Sequence, residues 1–294
     1  MGLKLSRKIR SIRESILQLI KKLHKPTYKI LIFVGAVLKF IYKINRRKTF
    51  KIGSKNLDEI NKNEYKQTSQ NNEDGIINYI ITKLNLKSLV FVEIGFDYYE
   101  NNSLNIIKKS KKGLFIDGSE KKVSLLRNIL KLLHSNKDIK VVNAFINKDN
   151  INKIILENIN SSEIDFISID VDGVDYYLLE NLDLQPKIIC IEYNFWYGKN
   201  TKCSIPYSEG FRWKIGSSYS GSSLLALNSL ANSKDYYLIG LDSACVNAFF
   251  IRGDLKHNFE ILDPITSFKY PERYTETEID NVKNELLLKE LNYF

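Results

Sequence analysis

The chain has 294 residues, 44% hydrophobic and 12% aromatic, enough to fill one large domain or two small ones. Its net charge of +10 is uneven: residues 1–50 hold 14 Lys/Arg against one Glu, a local +13 that leaves −3 on the rest. A nucleic-acid enzyme carries positive charge on the domain that docks, so this distribution argues against nucleic acid. Cys190, Cys203 and Cys245 lack metal-ligand spacing, and His24, His134 and His257 sit in unrelated contexts, which excludes a zinc site, a disulfide framework and a His-dependent triad.

The chain opens with an arm, residues 1–50. Leu5, Ile9, Ile12, Ile16, Leu19, Ile20 and Leu23 recur in steps that predict one helical face, with Arg and Lys on the others, and Pro26 ends the helix. The run "ILIFVGAVLKFIY" at 30–42 is apolar but interrupted by Lys39, and it is shorter than the about 20 residues a span needs. A basic amphipathic helix followed by a short apolar one suits an anionic membrane surface. The expectation is a cytoplasmic protein held peripherally on the inner face of a membrane through residues 1–43. Residues 51–72, rich in Lys, Asn and Gln, are predicted to be a linker.

From residue 73 strand and helix alternate. Ile76, Ile77, Ile80, Ile81 and Leu84 have helical spacing. "LVFVEIG" (89–95), "GLFIDG" (113–118), "IKVVNAF" (139–145), "IDFISID" (164–170) and "KIICIEYN" (187–194) read as buried strands. Helical stretches are predicted between them, including "SLNIIKKS", "EKKVSLLRNILKLLH" (120–134), 151–156 and 178–182. A helix at 221–233 leads to strands 236–241 and 245–252, joined as a hairpin, so one of the two must be antiparallel. The predicted fold is α/β, a Rossmann-like seven-stranded, mostly parallel sheet with a terminal antiparallel hairpin and helices on both faces. The body is taken as 73–254, and 255–294 as a tail with a peripheral helix near 276–291.

Ligands of open α/β sheets bind beyond the carboxyl ends of the strands. Those ends carry Glu93, Gly95 and Asp97, then Asp117 and Gly118, then Asn143 and Phe145, then Asp170, Asp172 and Asp175, then Glu192 and Asn194. A dinucleotide loop needs three glycines; "EIGFDYYENN" has one, with acids that would repel a pyrophosphate. An acidic loop suits a cationic ligand, and S-adenosylmethionine carries a sulfonium and an ammonium with no phosphate. Asp117, 24 residues after Glu93, is placed to accept hydrogen bonds from ribose hydroxyls. The expected cofactor contacts are Glu93, Gly95, Asp97, Asp117, Gly118, Asn143, Phe145 and Asp170.

The segments "SQNNEDGIINYI", "FVEIGFDYYENNS", "GLFIDGSEKKV", "DFISIDVDGVDYYLLENL", "IICIEYN", "IPYSEGFRW" and "SACVNAFFIR" occur in this order over residues 68–254. Together they resemble a bacterial family of S-adenosylmethionine-dependent methyltransferases related to the FkbM type. The resemblance implies a class I methyltransferase fold and O-methylation, often of sugar-containing molecules. Phe96, Tyr98 and Tyr99 stand where further glycines would be, a departure that bears on the methionine pocket.

Two other chemistries compete for the acidic strand end. "ISIDVDGV" is close to a haloacid-dehalogenase phosphatase signature, but Val174 replaces its Thr and three strands precede it. An Asp-x-Asp clamp of a glycosyltransferase would let a divalent ion bridge a nucleotide diphosphate. A third alternative is a non-catalytic binding module with a degenerate fold.

The stretch 194–223 is too long for a connector. Its Asn194, Trp196, Tyr197, Tyr207, Arg212 and Trp213 are the candidate acceptor contacts, suited to a sugar ring and an attached anion. Methyl transfer needs alignment, and a hydroxyl benefits from a base, for which Asp172 and Glu192 are the candidates. Alternatively, Asp170, Asp172, Glu192 and Asn194 could hold Mg²⁺. The expected substrate is a glycan or glycolipid precursor; no oligomeric state is predicted.

Overall fold

In the computed structural model, residues 33–38, 58–133, 137–161 and 163–294 are described. The chain divides into two compact units, 1–43 and 44–294. In the first, residues 33–38 are helical; the other arm predictions, the helix at 3–23 and the remainder of 30–42, lie outside the described residues. Among the described residues no helix is long and apolar enough to cross a membrane.

The second unit runs α1 (Glu73–Lys83), β1 (Leu89–Ile94), β2 (Ser110–Asp117), α2 (Glu120–Leu133), β3 (Asp138–Asn143), α3 (Ile151–Ile159), β4 (Phe166–Ile169), α4 (Asp175–Glu180), β5 (Ile188–Glu192), β6 (Cys203–Ser204), α5 (Leu224–Ser233), β7 (Tyr236–Leu241), β8 (Asn247–Arg252), α6 (Glu276–Leu286) and β9 (Asn292–Tyr293). Seven strands form one sheet in the order β3-β2-β1-β4-β5-β8-β7. β1 to β5 pair in parallel, and β8 is antiparallel to both β5 and β7. β8 is therefore the reversed strand required by the short connection. This order, with one reversed strand next to the edge, is the class I methyltransferase architecture.

The central strands are continuous apolar runs because both faces are covered. All six residues of β1 and all four of β4 are buried. Outward, α2 buries only Val123, Leu126, Ile129 and Leu130 and turns Lys121 and Lys131 to solvent. Phe91 and Phe115 meet edge to face at 5.2 Å, and a Cβ on Gly113 would lie 2.3 Å from the Phe91 ring. Strand register brings the carboxyl ends level: Ile116 and Ile169 both align with Ile94, and Ile191 aligns with Ile169. Four strands thus end in one row.

Several boundaries differ from expectation. The stretch Leu104–Lys109 is a 3-10 helix and β2 begins three residues early. α3 continues to Ile159, closed by Asn160 in the left-handed conformation. The described part of the predicted linker, 58–72, is integral to the fold. Ile60 is buried, and Asn61 Nδ2 donates to the Leu241 carbonyl at 2.7 Å. Asp74, fully buried, accepts from Gln67 N, Thr68 N and Oγ1, and Ser69 N and Oγ, all within 2.9 Å. The tail is likewise integral. β9 pairs with β6, and α6, opened by a Thr275–Glu278 capping box, buries Ile279 and Leu286. All three cysteines are buried and unpaired.

Asp74→Ala is expected to lower unfolding free energy by about 3 kcal/mol in urea titration, since it leaves several buried donors unpaired. Limited proteolysis should then open the chain within 65–72.

Candidate functional site

The row of strand ends floors a cavity of about 1130 Å³. The residues that follow the aligned isoleucines are Gly95, Asp117, Asp170 and Glu192, and all four line it. The backbone ladder continues past the strands: Gly95 N donates to Ile116 O and Asp170 N to Ile94 O, each at 2.9 Å. Gly95 has φ +77, and a Cβ there would lie 1.6 Å from the Asp170 carbonyl oxygen. Only glycine allows the β1 loop to pass this close to the end of β4.

Glu93 is buried one residue below the row. Its Oε1 accepts from Asn102 N at 3.0 Å and its Oε2 from the Ser103 hydroxyl. Both oxygens hold the 96–103 loop, so Glu93 shapes the wall and presents no free oxygen. Burial pushes its carboxyl up to about 8. Asp97, on that loop, has a buried Oδ1 without a partner, and so does Asn247 through its Oδ1. Both residues line the cavity. Two buried acceptors without donors call for a ligand that brings N–H or O–H groups.

At the end of β2, Asp117 accepts from Ser119 N at 2.7 Å and Phe96 N at 3.3 Å, with Lys122 Nζ 3.6 Å away. Gly118 faces Phe145, whose ring carbon lies 3.0 Å from where a Cβ would be. Phe145 is 43% exposed, with the Arg212 guanidinium 4.1 Å from its ring centroid. Asn143 does not reach the cavity lining; its Nδ2 donates to the Asp117 carbonyl at 3.0 Å and steadies that turn from outside.

Asp170, Asp172 and Glu192 place carboxylate oxygens within 4.8 Å of one another. Burial, then repulsion from Asp172 and Asp175, holds Asp170 well above the usual carboxylate range. Glu192 is raised well above it by burial, then by Asp170. Asp172 is raised by burial, opposed by Lys122. Protein crowds Asp170 and Glu192 on most sides, yet both keep solvent contact through the cavity, and Asp172 is exposed at its lip. Asp172 adopts φ +59, a left-handed conformation uncommon outside glycine. Asp175 holds that turn: its two oxygens accept from Val171 N at 2.8 Å and Gly173 N at 2.9 Å. Asp175 is thus a clamp on the turn ahead of α4.

Asn194 does not join the carboxylates as a ligand. Its Oδ1 accepts from Trp196 N at 3.0 Å and its Nδ2 donates to the Ser218 and Ser220 carbonyls at 2.8 Å, pinning the long loop. Trp196, Arg212 and Trp213 line the cavity as expected. Tyr197 and Tyr207 do not. Tyr197 is buried against Cys203 and Leu286, its hydroxyl donating to Ser220 O. Tyr207 packs edge-on against Tyr177 at 5.2 Å. Tyr197 packs toward α6 and Tyr207 toward α4, directions that composition does not encode. Phe211, Lys122 and the pair Arg273–Tyr274 line the cavity without having been anticipated. Lys122, in the first turn of α2, stands 3.6 Å from Asp117 across the strand–helix turn, a contact that helical spacing does not announce. Arg273 and Tyr274 lie beyond the alternating pattern.

No protein-family model matches the chain, so the FkbM resemblance gains no support there. No curated relative matches it either. Among solved structures, magnesium protoporphyrin IX methyltransferase from Synechocystis PCC 6803 with bound SAH is 12% identical, covering 68% of this chain and 90% of that one at a TM-score of 0.43. An S-adenosylmethionine-dependent methyltransferase from Clostridium acetobutylicum ATCC 824 is 12% identical over 62% of this chain and 90% of its own, with a TM-score of 0.41. TrmK of M. capricolum with SAH is 18% identical over 69% and 73%, with a TM-score of 0.34. At these values the likenesses add nothing to what the strand order itself establishes.

Raised carboxyls bind more protons in the folded chain, so their contribution to stability is present at low pH and lost as pH rises through the folded value. For Glu93 the window runs from 4.5 to about 8. The melting temperature is therefore expected to fall between pH 5 and 8. Glu93→Gln, which keeps an acceptor for Asn102 N, should flatten that slope and raise the melting temperature at pH 8, as differential scanning fluorimetry can measure.

Proposed function

We propose that this protein transfers a methyl group from S-adenosylmethionine to a hydroxyl oxygen of a sugar-containing acceptor. One observation carries the reading: a class I sheet whose strand ends form an acidic cavity with a single tight glycine in the first loop. That combination disfavours a pyrophosphate and favours a cation. The orphaned Asp97 Oδ1 and Asn247 Oδ1 fit a ligand rich in donors. In this reading Asp97 and Asp170 face the cofactor's cationic end, Asp117 its ribose, and Gly118 with Phe145 its base.

When bound, the cofactor supplies an electrophilic methyl group on sulfur. The protein's own contribution is alignment and proton handling. Glu192 and Asp172 stand beside Asp170 with carboxyls raised above their ordinary range, which improves them as bases near neutral pH. The acceptor hydroxyl proton passes to one of these two, while Asp175 and the 170–174 turn hold their geometry. Trp196, Trp213 and Tyr274 offer ring faces for a sugar.

A second reading, divalent-metal glycosyl transfer, draws on the same observation of three close carboxylates. They could hold one cation, with Asn194 excluded because its amide is fully engaged. Calorimetry decides between them. The full chain is expected to bind S-adenosylhomocysteine at one site, and Asp117→Asn to bind about tenfold more weakly, the loss of one charged hydrogen-bond acceptor. No heat with S-adenosylhomocysteine, together with a thermal shift from UDP and Mn²⁺, would overturn methyl transfer.

The arm's +13 supports peripheral attachment to an anionic leaflet. The full chain should co-float with vesicles containing phosphatidylglycerol, less so in high salt. A chain lacking residues 1–50 should not; equal flotation would refute this attachment.

A further inference from the structure

The cavity is not electrically uniform. Nine carboxylate side chains line it, against three cations: Lys122, Arg212 and Arg273. Lys122 is paired with Asp117. The two arginines have no ion pair among the described residues, and each instead lies over a ring. Arg212 sits 4.1 Å from the Phe145 centroid, at the end of β3, and Arg273 sits 5.0 Å from that of Tyr274.

Arg273 is the more informative. It arrives from the segment before α6, far from the other site residues in sequence. Its neighbour Tyr274 packs on Trp196 at 4.7 Å and on Phe195 at 5.7 Å, and Phe195 and Trp196 are themselves 4.6 Å apart. These three rings form a platform directly after β5, next to Glu192. A guanidinium laid over an aromatic ring keeps its N–H edge free for a planar, bidentate partner. No protein acceptor takes the N–H groups of Arg273 among the described residues, and the residue is exposed. A cation left unpaired in a cavity so rich in acid reduces the repulsion that an anionic guest would meet there.

We propose that Arg273 binds an oxyanion carried by the acceptor, a carboxylate or a phosphate on the sugar, while the Trp196–Tyr274 platform takes the ring. The C-terminal segment then belongs to the acceptor site and selects acidic over neutral sugars. This deepens the methyl-transfer reading and rests on it for the guest's role as methyl acceptor, but the binding site itself can be tested separately.

The chain has two tryptophans, Trp196 and Trp213, and both line the cavity. Intrinsic fluorescence therefore reports on this cavity with little background. The full chain, with and without S-adenosylhomocysteine, would be titrated with inorganic phosphate, acetate, glucuronate, glucose 1-phosphate and methyl glucoside at constant ionic strength. At least one oxyanion should change the emission saturably and methyl glucoside should not; glucuronate against glucose 1-phosphate separates carboxylate from phosphate. Arg273→Gln should weaken the response about tenfold or more, Arg273→Lys less, and the distant Lys256→Gln not at all. No response to any oxyanion, an equal response to methyl glucoside, or an unchanged response in Arg273→Gln would overturn the proposal. Loss of S-adenosylhomocysteine binding with a persisting oxyanion response would remove the methyl-transfer reading and leave the oxyanion site standing.

Discussion

Like charge brought together by sheet register is the constraint on which the site depends. Ile94, Ile116, Ile169 and Ile191 align across four parallel strands, so the next residues cannot spread apart. Three of those four positions present Asp117, Asp170 and Glu192. Side-chain rotation offers little relief, because the strands beneath are packed on both faces. The repulsion is resolved in two ways. Some carboxylates take backbone N–H donors: Asp74 from residues 67–69, Asp117 from Phe96 and Ser119, Asp175 from Val171 and Gly173, Asp242 from Val246 and Asn247. Each is a structural clasp that fixes a turn around the cavity. Asp170, Asp172 and Glu192 take no such donor among the described residues, and their carboxyls are raised instead. That division separates Asp74, Asp175 and Asp242, which build the site, from the acids open to a proton or a cation; Asp117, clasped yet lining the cavity, belongs to both groups.

The same division explains what the sequence could reveal. Central strands are legible because burial on both faces demands unbroken apolar runs, and "LVFVEI" and "FISI" have no other use. The reversed strand is legible because so short a connection forbids a parallel return. The row of acids is legible as a list of strand ends, since Asp117, Asp170 and Glu192 need only that register to be placed. The roles within the row are not legible. Glu93 and Asp170 both follow apolar stretches, yet one spends its oxygens on Asn102 and Ser103 and the other does not. That difference lies in loop hydrogen bonds that periodicity does not report.

Polar fastening also accounts for the two misplaced boundaries. Residues 58–72 look like a linker because few of them are apolar. They are held by Asp74, by Asn61 against Leu241, and by Glu64 against Ser243. The tail joins through a two-residue ladder to β6 and through Leu286 packing on Tyr197 and Cys203. Both attachments are long-range and local in extent, so neither leaves a run of residues long enough to show a period.

Two glycines tie these pieces into one site. Gly95 lets the first loop touch the Asp170 backbone. Gly173 does the same for the long loop after β5: a Cβ there would lie 2.3 Å from the Phe211 ring, which packs on the turn carrying Asp172. Next to Phe211, Arg212 covers Phe145 at the end of β3, and Glu209 accepts from Asn147 Nδ2 at 2.8 Å. The loop that brings Trp213 to the acceptor side is therefore fastened to the ends of β3 and β4, on the side assigned to the cofactor. The two halves of the cavity share a wall, and the turn that positions Asp172 is part of it. A change that displaces Phe211 would therefore reach Asp172 before the more deeply set Asp170, because Phe211 packs on Gly173 and the turn that carries Asp172.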